Sequence, residues 1–325
     1  MWVTFAIDKG VKNLDFGFSS YNDILPRCVF TSQSLVILSL SGVKLEDQTQ
    51  VHLGNLRKLS LLFVRGSDQA FERLISGCRS LLKLTIDKAK GLQNLNISNP
   101  SVVELFLGVE HGHIALNSPA LKMLDIVYDS SSSSCLLEVT DVTSLEEVNV
   151  EIVSCYRDFF MALISQFQCV KVLSLTAYAL SRLSSLKTYY PPNRLERLVL
   201  HSCWSDERCL QIIFDLVAAS VKLEDLEIYS GYTRGYGSTR FNLPEISNHV
   251  MPLLKTVTLH CDENSLEGQL KLVELLLGNA IVLEELVISF KKNQMTAVEG
   301  FNFVEQVSRF EKASTNANVV FVEEA

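Results

Sequence analysis

Apolar residues recur along this chain at one fixed spacing. In LLKLTIDKAKGLQNLNISNPSVVELFLG (81–108) the triplets Leu81-Leu84-Ile86, Leu92-Leu95-Ile97 and Val102-Leu105-Leu107 all fit L-x-x-L-x-L. The template starts at Val11, Leu35, Leu56, Leu81, Val102, Leu121, Leu145, Val170, Leu195, Leu223, Leu254 and Leu283, at intervals of 19 to 31 residues. Its last two apolar positions lie two apart, so they face the same side of a short strand. Between them, other segments change to helical spacing. Phe71, Leu74, Ile75 and Cys78 form a stripe in DQAFERLISGC (68–78), with Ser67 or Asp68 as N-cap. Helices are also predicted over 156–167, over 205–220 with acids in its first turn, and over 265–280 closing at Gly278-Asn279. A short amphipathic helix precedes Val11.

One strand of this kind cannot bury its apolar face alone, whereas stacked coils share it. The predicted fold is therefore α/β, a leucine-rich-repeat solenoid (horseshoe) with a concave parallel β-sheet and helices and short strands on the convex side. Coils of about twenty residues leave no room for a helix. There GLQNLNIS (91–98), HIALNSP (113–119) and CLLEVTD (135–141) are expected as strands on the convex wall, which is why the pattern doubles. Five serines (130–134) and SGYTRGYGSTRF (230–241) interrupt the rhythm and are predicted surface loops.

Composition narrows the function classes. With 47% hydrophobic residues in 325, the chain can build a large core. A net charge of −8 argues against nucleic acid or an anionic membrane as partner. The sequence contains neither a long uncharged apolar run nor a secretory n-region. The eight cysteines include no C-x-x-C pair and are expected to be reduced and mostly buried, in cytoplasm and/or nucleus. The sequon at Asn96 is then not expected to be glycosylated.

The opening W-x-x-x-A-x-x-x-G-V-K-x-L-D-F, from Trp2 to Phe16, is followed by LPRCVFTSQSLVILSLSGVKLE (25–46). This resembles the plant F-box/leucine-rich-repeat proteins, through Leu25-Pro26, Cys28, Phe30, Ser34-Leu35, Leu38, Leu40, Gly42 and Leu45. LLKTVTLHC (253–261), LKLVELLLGNAIVLEELVISF (270–290) and ASTNANVVF (313–321) resemble the FBD domain that closes many of them. The resemblance implies repeats over 1–250, an FBD-like cap continuing the solenoid over 251–325, and no F-box within the chain. It implies a substrate receptor of a cullin–RING ubiquitin ligase, which would meet the cullin adaptor only if a longer form carries an F-box. A stand-alone binding scaffold and the repeat region of a plant immune receptor remain open alternatives. The Asn/Cys ladder usual after L-x-L is mostly missing: only Cys203 occupies it, and Gly231, Asp262 and Lys291 stand at equivalent positions.

No enzyme constellation stands out, and the chain is expected to be non-catalytic. His111 and His113 form an H-x-H between coils without further metal ligands at hand. His201 and Cys203 share a strand face, whereas His260 and Cys261 point to opposite faces. Gly231, Gly235 and Gly237 make no phosphate loop. No cofactor is expected.

Recognition is the remaining chemistry. Positions beside and between the paired apolar residues carry Asp15, Asp87, Glu104, Asp125, Glu147, Glu151, Asp225, Glu227 and Glu285 against Lys58, Lys83 and Arg197. An acidic concave face selects a protein partner with a basic segment. A second candidate surface is the loop after Ile228, with Tyr229, Tyr232, Arg234, Tyr236, Arg240 and Phe241, residue types that dominate interface hot spots.

Overall fold

The structure, a computed structural model, describes residues 2–18, 23–109, 112–129, 135–154, 163–176, 191–202, 207–230, 250–261, 266–291 and 296–324. The chain divides into two compact units, Met1–Gln166 and Phe167–Ala325.

In the first unit α1 (Trp2–Asp8) leads into β1 (Asn13–Gly17). β2 (Asp23–Ile24), β3 (Ile37–Ser41), β4 (Val43–Lys44) and β5 (Lys58–Leu62) follow, then α2 (Asp68–Ser76). Next come β6 (Lys83–Asp87), β7 (Asn94–Ser98), β8 (Glu104–Val109), β9 (Gly112–Asn117), β10 (Met123–Asp129), β11 (Cys135–Asp141) and β12 (Glu147–Ser154). β1, β3, β5, β6, β8, β10 and β12 form one parallel sheet in that order. Each of these strands lies on a template, and the templates align in register. Leu14, Leu38, Leu59, Leu84, Leu105, Leu124 and Val148 form one row across the sheet. All are buried, because this is the face the coils share.

The doubled pattern has the expected origin. β7, β9 and β11 pair in parallel as a separate sheet, with Leu95 and Ile97 beside Ile114 and Leu116. These strands occupy the wall that α2 holds one coil earlier, and α2 packs directly against β7. Ser67 caps α2, its hydroxyl accepting from the Ala70 N–H, while Phe71, Leu74 and Ile75 face the core.

In the second unit β13 (Val172–Thr176), β14 (Arg197–Ser202), α3 (Glu207–Ala219), β15 (Asp225–Ser230), β16 (Thr256–Cys261), α4 (Leu266–Asn279), β17 (Glu285–Lys291), α5 (Ala297–Ser308) and β18 (Asn318–Glu324) alternate. The strands again pair in parallel in chain order, so Leu173, Leu198, Leu226, Val257, Leu286 and Val319 align. β15 pairs with β16 across the expected 250/251 boundary, which therefore falls inside this unit. α4 includes Gly278 and Asn279 in its last turn, so they are not a cap beyond it; Asn279 closes the turn by donating Nδ2 to Leu275 O. α5 was not anticipated from periodicity. Its signal is Thr296 with Glu299, a reciprocal capping box.

A single carbonyl joins each coil to the next. Val36 O accepts from the N–H groups of both Arg57 and Lys58, and Arg57 O from those of Leu82 and Lys83. In the second unit Glu224 O accepts from Lys255 and Thr256, and Lys255 O from Glu284 and Glu285.

Before each strand the chain turns tightly, and here the structure supplies a polar ladder that the sequence reading placed elsewhere. Three residues ahead of the template starts stand Ser32, Cys78, Asn99, Ser118 and Ser220, all buried. Asn99 donates Nδ2 to Ile75 O and Cys78 O, closing α2 from the following coil. Ser220 donates to Leu216 O, the last turn of α3. Four described cysteines are free: Cys78 and Cys261 buried, Cys28 half-buried and Cys169 exposed, the last contrary to expectation. Burial pushes the Cys78 thiol up to about 12.

Candidate interaction face

Register turns the outward residues of each strand into rows that cross the sheet. In the first unit Lys58, Lys83, Glu104, Met123 and Glu147 share one row. Ser60, Thr85, Phe106, Asp125 and Asn149 share the next, and Leu62, Asp87, Gly108, Val127 and Glu151 the third. Asp15 stands outward on β1. The first-unit acids named from the sequence therefore lie on one open face. Lys83 is paired with Glu104 at 2.8 Å. Asp125 accepts from Asn149 Nδ2 at 2.6 Å, and Glu147 from the same nitrogen at 3.3 Å. Glu151 is exposed.

The second unit gathers its residues more tightly. Arg197, Asp225, Thr256 and Glu285 form one row. His201, Tyr229, His260 and Ser289 form another, with Glu227 between the two. The rings of His201 and Tyr229 stack at 4.8 Å between centroids, and those of Tyr229 and His260 at 4.1 Å. Arg197 donates to Glu227 Oε2 at 2.6 Å and pairs with Asp225 at 3.2 Å. Tyr229 donates its hydroxyl to Glu227 Oε1 at 2.5 Å, and His260 Nε2 lies 3.4 Å from the same oxygen. Both Glu227 oxygens are thus engaged within the sheet and Asp225 is paired with Arg197, whereas Glu285 is exposed.

Burial opposes ionisation of Glu227, but the bonds from Tyr229, Arg197 and His260 outweigh it and hold the carboxyl below the usual glutamate range. A depressed folded-state pKa contributes stability that is complete above the unfolded value and fades as pH falls through the folded one. Glu227→Gln is therefore expected to lower the urea midpoint near neutral pH. The gap should close below the unperturbed glutamate pKa of about 4.3. A gap that persists unchanged into acid would mean that the ionised carboxylate contributes nothing.

Several expectations resolve differently. His113 belongs to β9, on the opposite wall, where it lies 3.5 Å from Glu138; it is not in a loop. His260 faces outward while Cys261 is buried, so the two do share no face. His111, Cys203, Tyr232, Arg234, Tyr236, Arg240 and Phe241 lie outside the described residues, and Tyr229 closes β15 on the open face. The stack of His201, Tyr229 and His260 was missed, although each residue sits one place after the last apolar template position. Ser289 Oγ lies 2.9 Å from His260 Nδ1, but Ser289 is only 4% exposed and presents no nucleophile to solvent. Among the described residues no group of three or more His, Cys, Asp or Glu is arranged to hold a metal ion, and no helix is long and apolar enough to cross a membrane.

Parallel strands in register, a leucine core behind them and a polar open face in front define a leucine-rich-repeat protein. The family model for the leucine-rich repeats of FBD-associated F-box protein At5g56370 matches residues 1–155. The chain is similar to F-box/FBD/LRR-repeat protein At5g56420 of Arabidopsis thaliana, 26% identical over 99% of this chain and 77% of the relative. It is also similar to the putative F-box/FBD/LRR-repeat proteins At5g62970 and At5g22670 of the same plant. The first is 28% identical over 70% of this chain and 52% of its own length, the second 24% over 98% and 76%. The chain is thus similar to the plant FBD/leucine-rich-repeat proteins. The names of these relatives are those of F-box-type proteins with leucine-rich repeats.

Proposed function

We propose that this chain is the substrate-recognition part of an F-box-type receptor of a cullin–RING ubiquitin ligase, acting in cytoplasm and/or nucleus. The target lies on the open face and carries a basic segment. One observation supports this most: the outward rows are acidic, and two of their three bases, Lys83 and Arg197, are already held by Glu104, Asp225 and Glu227. Contact with the cullin adaptor would belong to an F-box, if a longer form carries one.

The test is affinity purification of the tagged protein from plant cells, with the double variant Glu151→Lys/Glu285→Lys alongside. Both residues are exposed, so reversal changes the surface and leaves the core intact. A specific partner with a basic segment is expected with the parent chain, reduced about tenfold or more with the variant. Equal recovery with both would sink the acidic-face reading. A form bearing an F-box that never recovers the adaptor would sink the ligase reading and leave a stand-alone scaffold.

A further inference from the structure

The third outward row of the first unit contains one gap. Leu62, Asp87, Val127 and Glu151 carry side chains there, but Gly108 does not. A Cβ built on Gly108 would stand 2.0 Å from Asp87 Oδ1, so the carboxylate occupies space that only glycine leaves free. On the other side of that carboxylate the face holds a concavity of about 250 Å³. Leu62, Thr85 and Phe106 supply its largely apolar wall, and Asp87, Asp125 and Glu104 its acidic groups.

The charges in this concavity are unbalanced. Lys83, the only base lining it, is neutralised by Glu104 at 2.8 Å. Among the described residues neither Asp87 nor Asp125 has a cationic partner; Asp125 is oriented by the neutral amide of Asn149. The site therefore joins an aromatic and aliphatic surface to two uncompensated carboxylates. It is smaller than the ~300–1,000 Å³ typical of sites for drug-sized ligands. An anion would meet repulsion here, and an apolar group would leave the carboxylates unpartnered.

We infer that the concavity beside Asp87 receives one lysine or arginine side chain from a partner peptide; Gly108 leaves room for the carboxylate that faces it. These side chains pair an apolar stem with a cationic head. The stem lies along Leu62 and Phe106, and the head reaches Asp87 and Asp125, with further attraction from the Phe106 ring. This inference rests on the reading that the open face binds protein, and it selects the point on that face where a basic residue is anchored.

The experiment uses the full chain and a fluorescein-labelled Gly-Ser peptide with interspersed lysine and arginine, titrated by fluorescence anisotropy at low salt. The same peptide with acetyl-lysine and citrulline is the uncharged control. Asp87→Asn/Asp125→Asn and Gly108→Val are each expected to weaken binding about tenfold or more, the second without any change of charge. Glu147→Gln/Glu151→Gln removes the same charge from the same face beside the site and is expected to weaken binding clearly less than Asp87→Asn/Asp125→Asn. Where Gly108→Val does not fold, Phe106→Ala replaces it and is expected to weaken binding too. If both acid pairs cost the same and the shape variants cost nothing, the anchor is wrong while the diffuse acidic face stands. No difference between the charged peptide and its control would overturn both.

Discussion

Phe71→Ala is expected to destabilise the first unit by about 3–5 kcal/mol, read as a lowered urea midpoint with an unchanged slope. Phe71 is fully buried and lies on α2, which packs against β7 of the next coil. Its ring is closely held: a Cβ on Gly66 would approach Phe71 Cε2 to 3.2 Å. In a stack of coils each layer touches only its neighbours, so few side chains can move in to fill a void. The loss should therefore sit high in the usual range for a deleted aromatic. A loss under about 1 kcal/mol would show that the coils close up around the cavity.

The second large effect is expected at Asn99. Its Nδ2 donates to Ile75 O at 2.9 Å and Cys78 O at 3.0 Å, and its Oδ1 accepts from Ser101 N at 3.0 Å. Ile75 O and Cys78 O also accept from the N–H groups of Cys78 and Leu81, so alanine at 99 removes three hydrogen bonds without orphaning either carbonyl. At about 1 kcal/mol per bond in a buried site the cost is about 2–3 kcal/mol. Ser118 occupies the same rung one coil on, but its buried hydroxyl has no partner among the described residues. Ser118→Ala is accordingly expected to be neutral or slightly stabilising. Equal losses at the two positions would falsify the assignment of the Asn99 effect to its hydrogen bonds.

The strands were legible because one physical rule produced them repeatedly. Every template coincides with a strand, since two apolar residues two apart have one way to share a core. The row of acids was legible for the same reason, as alternation fixes which residues face outward. What escaped were features that no single coil encodes. Glu227 was expected to face a partner, but its position beside Arg197, Tyr229 and His260 depends on register between strands some thirty residues apart. The concavity beside Asp87 depends on residues that four strands, β5, β6, β8 and β10, bring together. Even so, some signals were present and unused: Thr296 with Glu299 announces α5, and Ser32, Cys78, Asn99, Ser118 and Ser220, three places before five of the templates, mark turns. The FBD-like segment was expected as a cap continuing the solenoid, and β16, β17 and β18 continue the pairing pattern of the strands before them.

The shared carbonyl has a consequence for how such a chain can change over time. Val36, Arg57 and Leu82 each accept the same two N–H groups from the coil that follows, whatever the length of the segment between. The joint is therefore interchangeable. A duplication or loss running from one such carbonyl to the next would restore the same pairing, with no strand forced out of phase. Insertions that begin and end elsewhere would not. Within each unit the fold thus favours genetic change in whole coils, so the number of rows available for recognition can grow or shrink separately from the residues that decorate them.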